Sequence, residues 1–147
     1  MYTISKLDKN DYLELIEVWE ASVRATHDFL PEKRLLELKP LILDQYFDAV
    51  QLFGIKDQGR ILGFLGIHEI DIEMLFIHPD YRKKGVGKTL LLHAINALRC
   101  TRVDVNEQNQ QAVEFYLYMG FQIAGRSPLD GQGEPYPLLH LKLSEII

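Results

Sequence analysis

The residues that bear most directly on chemistry lie between Tyr81 and Lys88, which read Tyr-Arg-Lys-Lys-Gly-Val-Gly-Lys. Arg82 offers a planar fork of N–H donors to anionic oxygens, and Lys83, Lys84 and Lys88 add positive charge. Gly85 and Gly87 let the backbone come close to a ligand, at Val86 as well. A helix that begins here aims unsatisfied N–H groups, and the positive end of its dipole, at an anion. A solvated basic turn ahead of a glycine-softened helix start would look the same, and the loop alone does not separate the two. Two nucleotide motifs fail. A triphosphatase loop, G-x-x-x-x-G-K-[ST], ends like Gly87-Lys88-Thr89 but needs glycine where Arg82 stands, and G-x-G-x-x-G fails at Leu90. A phosphate loop without a magnesium site suits a cofactor whose phosphates serve as handles and do not react.

Those residues need elements to hold them. Tyr2 to Lys6 alternates as a strand, and Asp8 can cap a helix reaching Thr26, with Leu13, Ile16, Trp19 and Val23 on one face. Pro31 opens a second helical run through Tyr46, which Pro40 must start, kink or split. Val50 to Glu69 reads as a hairpin around Asp57-Gln58-Gly59, and Ile70 to Pro79 as a further strand. Gly85 to Arg99 is helical, with Val86, Leu90, Leu91, Ala94, Ile95 and Leu98 in one stripe. Thr101 to Asn106 is a strand. Asn109 caps a helix carrying Ala112, Val113, Tyr116 and Met119, which Gly120 stops. Phe121 to Arg126 and Leu138 to Leu143 are strands around a turn-rich loop. The order β-α-α-β-β-β-α-β-α-β-β predicts an α/β domain, a mixed central sheet with helices on both faces.

Composition sets bounds. A chain of 147 residues predicts one domain, 1–147, able to bury a core without disulfides. Its net charge of −5 argues against a nucleic-acid partner. The single Cys100 suits a reducing compartment and reads as a small buried side chain more than as a nucleophile. The acidic N-terminal stretch does not read as a signal peptide, and no apolar run is long enough to span a bilayer, so the expectation is a cytoplasmic protein without a membrane partner. The five histidines show no metal-binding spacing and no G-x-S-x-G is present, so neither a metal nor a serine nucleophile is expected.

"MLFIHPDYRKKGVGKTLL" resembles the acyl-CoA-binding signature of the GNAT N-acyltransferases, whose core of Arg or Gln, x-x-G-x-G, is matched by Arg82, Gly85 and Gly87. "NEQNQQAVEFYLYMGF" resembles the family's second signature through Asn109, Ala112, Phe115, Tyr116, Gly120 and Phe121. The separation of the two patterns and the order of elements match as well. "VRATHDFL", "VNEQN" and "PYPLL" resemble the YjaB-type group of small bacterial acetyltransferases. The resemblance implies acetyl-CoA as acyl donor and central strands that splay apart. It implies that Leu75, Phe76 and Ile77 line the pantetheine arm. It further implies that the amides of Arg82 to Lys88 hold the pyrophosphate, with Asn109 and Tyr116 beside the thioester.

Acyl transfer to an amine needs a base to free the amine, a donor for the oxyanion, and an acid for the leaving thiolate. Tyr116 is the expected acid; a core aromatic with a satisfied hydroxyl is the structural alternative. A strand N–H near Leu75 or Phe76 is the expected oxyanion donor. Glu73 and Asp104 are both candidates for the base. His27, Asp28 and Phe29, at the end of the first helix, would shape the acceptor site, with His27 equally readable as a helix-end cap. His68 is a further candidate, whereas His78 and His93 read as structural or exposed, and His140 has no evident role. The expected function is acetyl transfer from acetyl-CoA to a primary amine, on a small molecule or a peptide, by direct attack in a ternary complex, in a monomer or homodimer. A non-catalytic acyl-CoA sensor is the alternative.

Overall fold

In the computed structural model, which describes residues 2–144, the expected order of elements appears in full. Seven strands and four α-helices are present among the described residues: β1 (Ile4–Lys6), α1 (Tyr12–Thr26), α2 (Glu32–Leu41), β2 (Gln51–Asp57), β3 (Arg60–His68), β4 (Asp71–Ile77), α3 (Val86–Asn96), β5 (Arg102–Asn106), α4 (Gln110–Tyr118), β6 (Phe121–Ser127) and β7 (Leu138–Leu143). The chain forms two compact units that divide between Cys100 and Thr101.

In the first unit β1, β2, β3 and β4 pair in that order, each antiparallel to the next. Gln58 and Gly59, with φ of 52° and 77°, make the left-handed turn that joins β2 to β3. That turn has the hand of a type I′ hairpin and matches the strand twist. β3 is buried from Ile61 to Ile67, and α1 packs along it and along β4. Asp8 and Asp11 form a reciprocal cap around a short 3₁₀ turn, and α1 proper begins at Tyr12. Its buried stripe includes Leu15, Val18 and Ser22 along with Ile16, Trp19 and Val23. This turns the stripe away from Leu13, which is 72% exposed instead of lying on the core face. The core joins α1 to the sheet through Leu15, Phe47 and Phe64, all fully buried.

Pro40 does not split the second helical run. It lies inside α2, and a π turn over Ile42–Tyr46 follows it, with the Ile42 N–H shared between the carbonyls of Leu38 and Lys39. Proline removes one donor from the ladder, and a widened turn is one way to absorb the mismatch. Glu20 of α1 accepts from Arg24 and from Lys39 of α2, and Arg24 also reaches Glu32, so ion pairs tie both ends of α2 to α1. α3 stops at Asn96, short of the expected Arg99, because Arg99 takes a left-handed φ of 61° and the Cys100 N–H turns back to the Ala94 carbonyl.

The second unit is a three-stranded antiparallel sheet in the order β5-β7-β6, with α4 packed on β5 and β6. Val103, Val105, Phe121, Leu139 and Leu141 are buried, in the period-2 pattern of a half-buried sheet. The Asn109 side chain caps α4 by accepting from the Ala112 N–H at 3.3 Å, and Gly120, at φ 104°, reverses the chain into β6. The expected bounds of β7 hold to the residue, and those of β5 and β6 to within one.

Candidate active site

In the first unit, β4 delivers the chain to the basic loop. Its pairing with β3 carries one irregularity: Ile72 faces Ile67 and Met74 faces Gly66, so Glu73 is the bulged residue of β4. A bulge of this kind re-aims a side chain and bends the strand. Beyond it, Met74 to Ile77 are all half-buried apolar residues, although the β3 segment they pair with is fully buried. After Ile77 a 3₁₀ turn over Pro79–Tyr81 is capped by the His78 ring, whose Nδ1 accepts from the Asp80 N–H at 3.1 Å. His78 is therefore structural, as expected.

The loop then runs through two left-handed residues, Lys83 at φ 62° and Gly85 at φ 84°. Gly85 is the N-cap of α3, so the N–H groups of Val86, Gly87 and Lys88 occupy the first turn, where the helix offers no acceptor. No acidic side chain lies in that turn to compete for them. The loop is held from outside: Tyr2 Oη donates to the Lys84 carbonyl at 2.8 Å, and the Lys84 ammonium lies 5.7 Å above the Tyr81 ring. Gly63 of β3 seats the helix start from below. A Cβ there would stand 2.7 Å from Ile77 Cδ1 and 3.0 Å from Val86 Cγ1. Neither Tyr2 nor Gly63 stands out in the sequence, because each matters through a contact distant along the chain.

His27 is the C-cap of α1, its N–H bonded to the Val23 carbonyl at 2.7 Å. The Thr26 hydroxyl donates to the Ser22 carbonyl and so accepts from His27 Nδ1–H at 2.7 Å, which leaves Nε2 as an acceptor. Burial pushes the His27 pKa below its usual value, partly countered by the charge of Asp28. The ring packs against Phe29 at 5.2 Å. His27, Asp28 and Phe29 thus form one short turn, with His27 as the cap of α1. Glu73 gathers with His68 and Asp71, their ligand atoms within 4.8 Å of one another. This grouping of donors is brought about by the β3–β4 turn, and sequence spacing did not show it. Cys100 is fully buried, and burial with the Asp71 charge pushes its thiol pKa up to about 11, as a structural cysteine requires.

In the second unit Tyr116 lies in the middle of α4, 6% exposed, with ring contacts to Phe115 and Phe121 at 5.3 and 5.6 Å. Burial pushes its pKa upward, so the phenol stays protonated well above neutral pH. These two aromatic contacts hold the ring between α4 and β6. Tyr118, one step along the helix, is 83% exposed. Asp104 points from β5 to the neighbouring strand, where its Oδ1 meets His140 Nδ1 at 2.7 Å. His140 Nε2 in turn meets Ser127 Oγ at 2.6 Å. His140, which has no evident role in the sequence, is therefore the centre of a three-residue network.

The comparisons with known proteins bear on this geometry. The sequence model of the acetyltransferase (GNAT) family matches residues 14–121, which include the loop, Asp104, Asn109 and Tyr116. The chain belongs to this family. GNAT relatives extend the likeness over nearly the whole chain. It is 44% identical over 128 residues to the peptidyl-lysine N-acetyltransferase YjaB of Salmonella typhimurium, which covers 87% of this chain and 88% of that protein. The solution structure of apo YjaB from Escherichia coli superimposes with a TM-score of 0.90 at 37% identity, covering 99% of each chain. The fold is also that of the PaiA N-acetyltransferase from Thermoplasma acidophilum in complex with coenzyme A, with a TM-score of 0.77 at 24% identity over 98% of this chain and 99% of that one. The YjaB-type resemblance expected from the sequence is thus found, and the chain is an acetyltransferase. Among the described residues no helix is long and apolar enough to cross a membrane.

Proposed function

We propose that residues 1–147 act as one N-acetyltransferase domain that moves the acetyl group of acetyl-CoA to the side-chain amine of a peptidyl lysine, by direct attack in a ternary complex. The observation that carries this reading is the loop from Arg82 to Lys88: a left-handed Gly85, a helix start free of acidic side chains, and four basic residues around it. Support for one domain comes from the family match, which runs from residue 14 to 121 across the division at Cys100. Support for a peptidyl lysine acceptor comes from the names of the YjaB relatives.

The residues fit the donor. The amides of Val86, Gly87 and Lys88 bind the pyrophosphate, with Arg82, Lys83 and Lys84 supplying charge. Leu75, Phe76 and Ile77 offer the half-buried apolar surface that a pantetheine arm covers, and a strand N–H near Leu75 or Phe76 donates to the oxyanion. Asn109 orients the distal pantetheine. When bound, acetyl-CoA supplies an activated acyl group; the chain supplies positions and protons. A lysine amine, with an ordinary pKa of about 10.4, must lose a proton to attack. Glu73 or Asp104 takes it, directly or through water. Tyr116 gives its hydroxyl proton to the leaving sulfur. The apolar surroundings that push the phenol's pKa up also make a thiolate more basic, so both groups favour their protonated forms there. His27, Asp28 and Phe29 form one wall of the acceptor site. The protein works in the cytoplasm as a monomer or homodimer.

The test is thiol release from acetyl-CoA with a panel of blocked lysine peptides, polyamines and free amino acids. Buried Cys100 leaves the thiol readout clean. Release that depends on a lysine peptide supports the reading. Tight coenzyme A binding with no release for any amine would support a sensor instead.

A further inference from the structure

The three-stranded sheet of the second unit carries a side-chain network of which the assignments above use only Asp104. Asp104, His140 and Ser127 come from three different strands, β5, β7 and β6, and meet on the face opposite the buried valines and leucines. Asp104 and His140 are direct cross-strand partners, which sets their side chains on one face. On the other side of His140 stands Gly125, where a Cβ would lie 3.6 Å from His140 Cδ2. The imidazole rests over the space that a side chain would occupy.

Gly125 faces His140 only because β6 contains one extra residue. Ile123 pairs with Leu141 and Gly125 with His140, so Ala124 is bulged. Regular pairing would set Ala124 opposite His140 and turn Arg126 toward it, since a one-residue shift exchanges the two faces of a strand. The bulge instead brings Ser127 onto the His140 face and leaves Arg126 to pair with Glu107 at 2.6 Å.

The order of contacts fixes the proton. A carboxylate only accepts, so the hydrogen between Asp104 and His140 sits on Nδ1. Nε2 then carries a lone pair and accepts from the Ser127 hydroxyl, whose oxygen keeps its own lone pairs for a donor from outside. Asp104 and His140 remain 58% and 39% open at the side chain, so the network is reachable from solvent. This is the order of groups that activates a hydroxyl in acyl-transfer enzymes: an oriented base with an acid anion behind it.

We propose that Ser127 and His140 form the relay that deprotonates the lysine ammonium, with Asp104 as the positioning residue behind His140. This deepens the acetyl-transfer reading and rests on it, because it replaces a direct role for Asp104 with an indirect one. The ammonium donates an N–H to Ser127 Oγ and passes its proton to that oxygen. Ser127 gives its own hydrogen to His140 Nε2. The amine is left neutral, Ser127 is unchanged, and His140 holds one positive charge against Asp104. The charged groups on the imidazole's face of the sheet are Asp104 and Arg102 from β5 and, along its own strand, Lys142, which pairs with Arg102; from β6 it meets Gly125 and Ser127, which are uncharged.

The experiment uses the full chain, acetyl-CoA and an N-terminally blocked lysine peptide. His140→Gln is expected to lower kcat/KM for the peptide about 100-fold, leave the KM for acetyl-CoA unchanged, and remove the acidic limb of the pH profile. Ser127→Ala should cost about 10-fold, and Ser127→Thr, which keeps the hydroxyl, should recover most of it. If His140→Gln and Ser127→Ala both turn over within about twofold of the parent with the same pH profile, the relay is overturned. A second readout does not depend on turnover. Imidazole ¹⁵N shifts of His140 should report the Nδ1–H tautomer, and Asp104→Asn should invert it; an Nε2–H tautomer in the parent chain overturns the relay even if acetyl transfer stands. No thiol release with any amine would count against acetyl transfer itself, while the ¹⁵N shifts would still decide the relay.

Discussion

The two units of this chain offer the proposed chemistry different materials. From Tyr2 to Cys100 the feature that the proposed function uses is backbone: a helix start, a left-handed glycine, and a close approach permitted by Gly63. From Thr101 to Ser144 it is side chains: a buried phenol, an amide cap and a carboxylate–imidazole–hydroxyl network. Backbone sites depend on φ and on the absence of side chains, so they tolerate exchange among the flanking lysines but not at the glycines. Side-chain sites depend on register, so they fail when one group is removed.

That contrast makes its largest claim at Tyr116. Tyr116→Phe keeps the ring and its contacts with Phe115 and Phe121 and removes only the hydroxyl. It should lower kcat about 100-fold while coenzyme A affinity, measured by calorimetry, stays the same. An unchanged kcat at saturating peptide would return Tyr116 to the core. Next comes Gly85→Val, which forces a β-branched residue to a φ of 84° at the helix start. Coenzyme A should bind about 30-fold more weakly, with the second unit's chemistry untouched at saturating donor. Gly63→Ala is a smaller version of the same break. Its methyl group would press on Ile77 and Val86, costing about 1–2 kcal/mol in thermal or urea unfolding.

Two weaker effects sharpen the comparison from the structural side. Cys100 should resist thiol reagents in the native chain at neutral pH and react fully once the chain is unfolded in urea, because burial holds its pKa at about 11. His27 has its pKa lowered by burial. As pH falls from the usual imidazole range toward the lower folded value, the unfolded chain takes up a proton that the folded chain does not. Stability therefore declines with falling pH in that window. Urea midpoints measured across the window should fall for the parent chain and lie flatter for His27→Gln.

The same division explains what the sequence reveals. The loop is legible through its resemblance to the family's first signature, with a second signature following at the matching separation; glycine and arginine spacing alone fits a solvated basic turn equally well. Helix periodicity places Asn109 as a cap and Tyr116 on the stripe it starts, whereas their place in a site comes from the resemblance to the family's second signature. Periodicity misplaces Leu13, because four apolar positions fit a helix face in more than one rotation and only packing chooses between them. The bulges at Glu73 and Ala124 leave no mark in composition, yet they decide which side chains face a site. His140 stays mute for this reason: its partners are 36 and 13 residues away along the chain and meet it only through strand pairing. Pro40 announces a disturbance without saying which, and the widened turn after it depends on carbonyls that only the folded helix brings within reach.

The central claim is that backbone amides at the start of α3 bind the diphosphate of the acyl donor. Titrating a ¹⁵N-labelled chain with coenzyme A tests it most directly. The account predicts that the amides of Val86, Gly87 and Lys88 shift most and saturate together. Amides at that helix start that stay unmoved while coenzyme A binds elsewhere, or fails to bind, would contradict it.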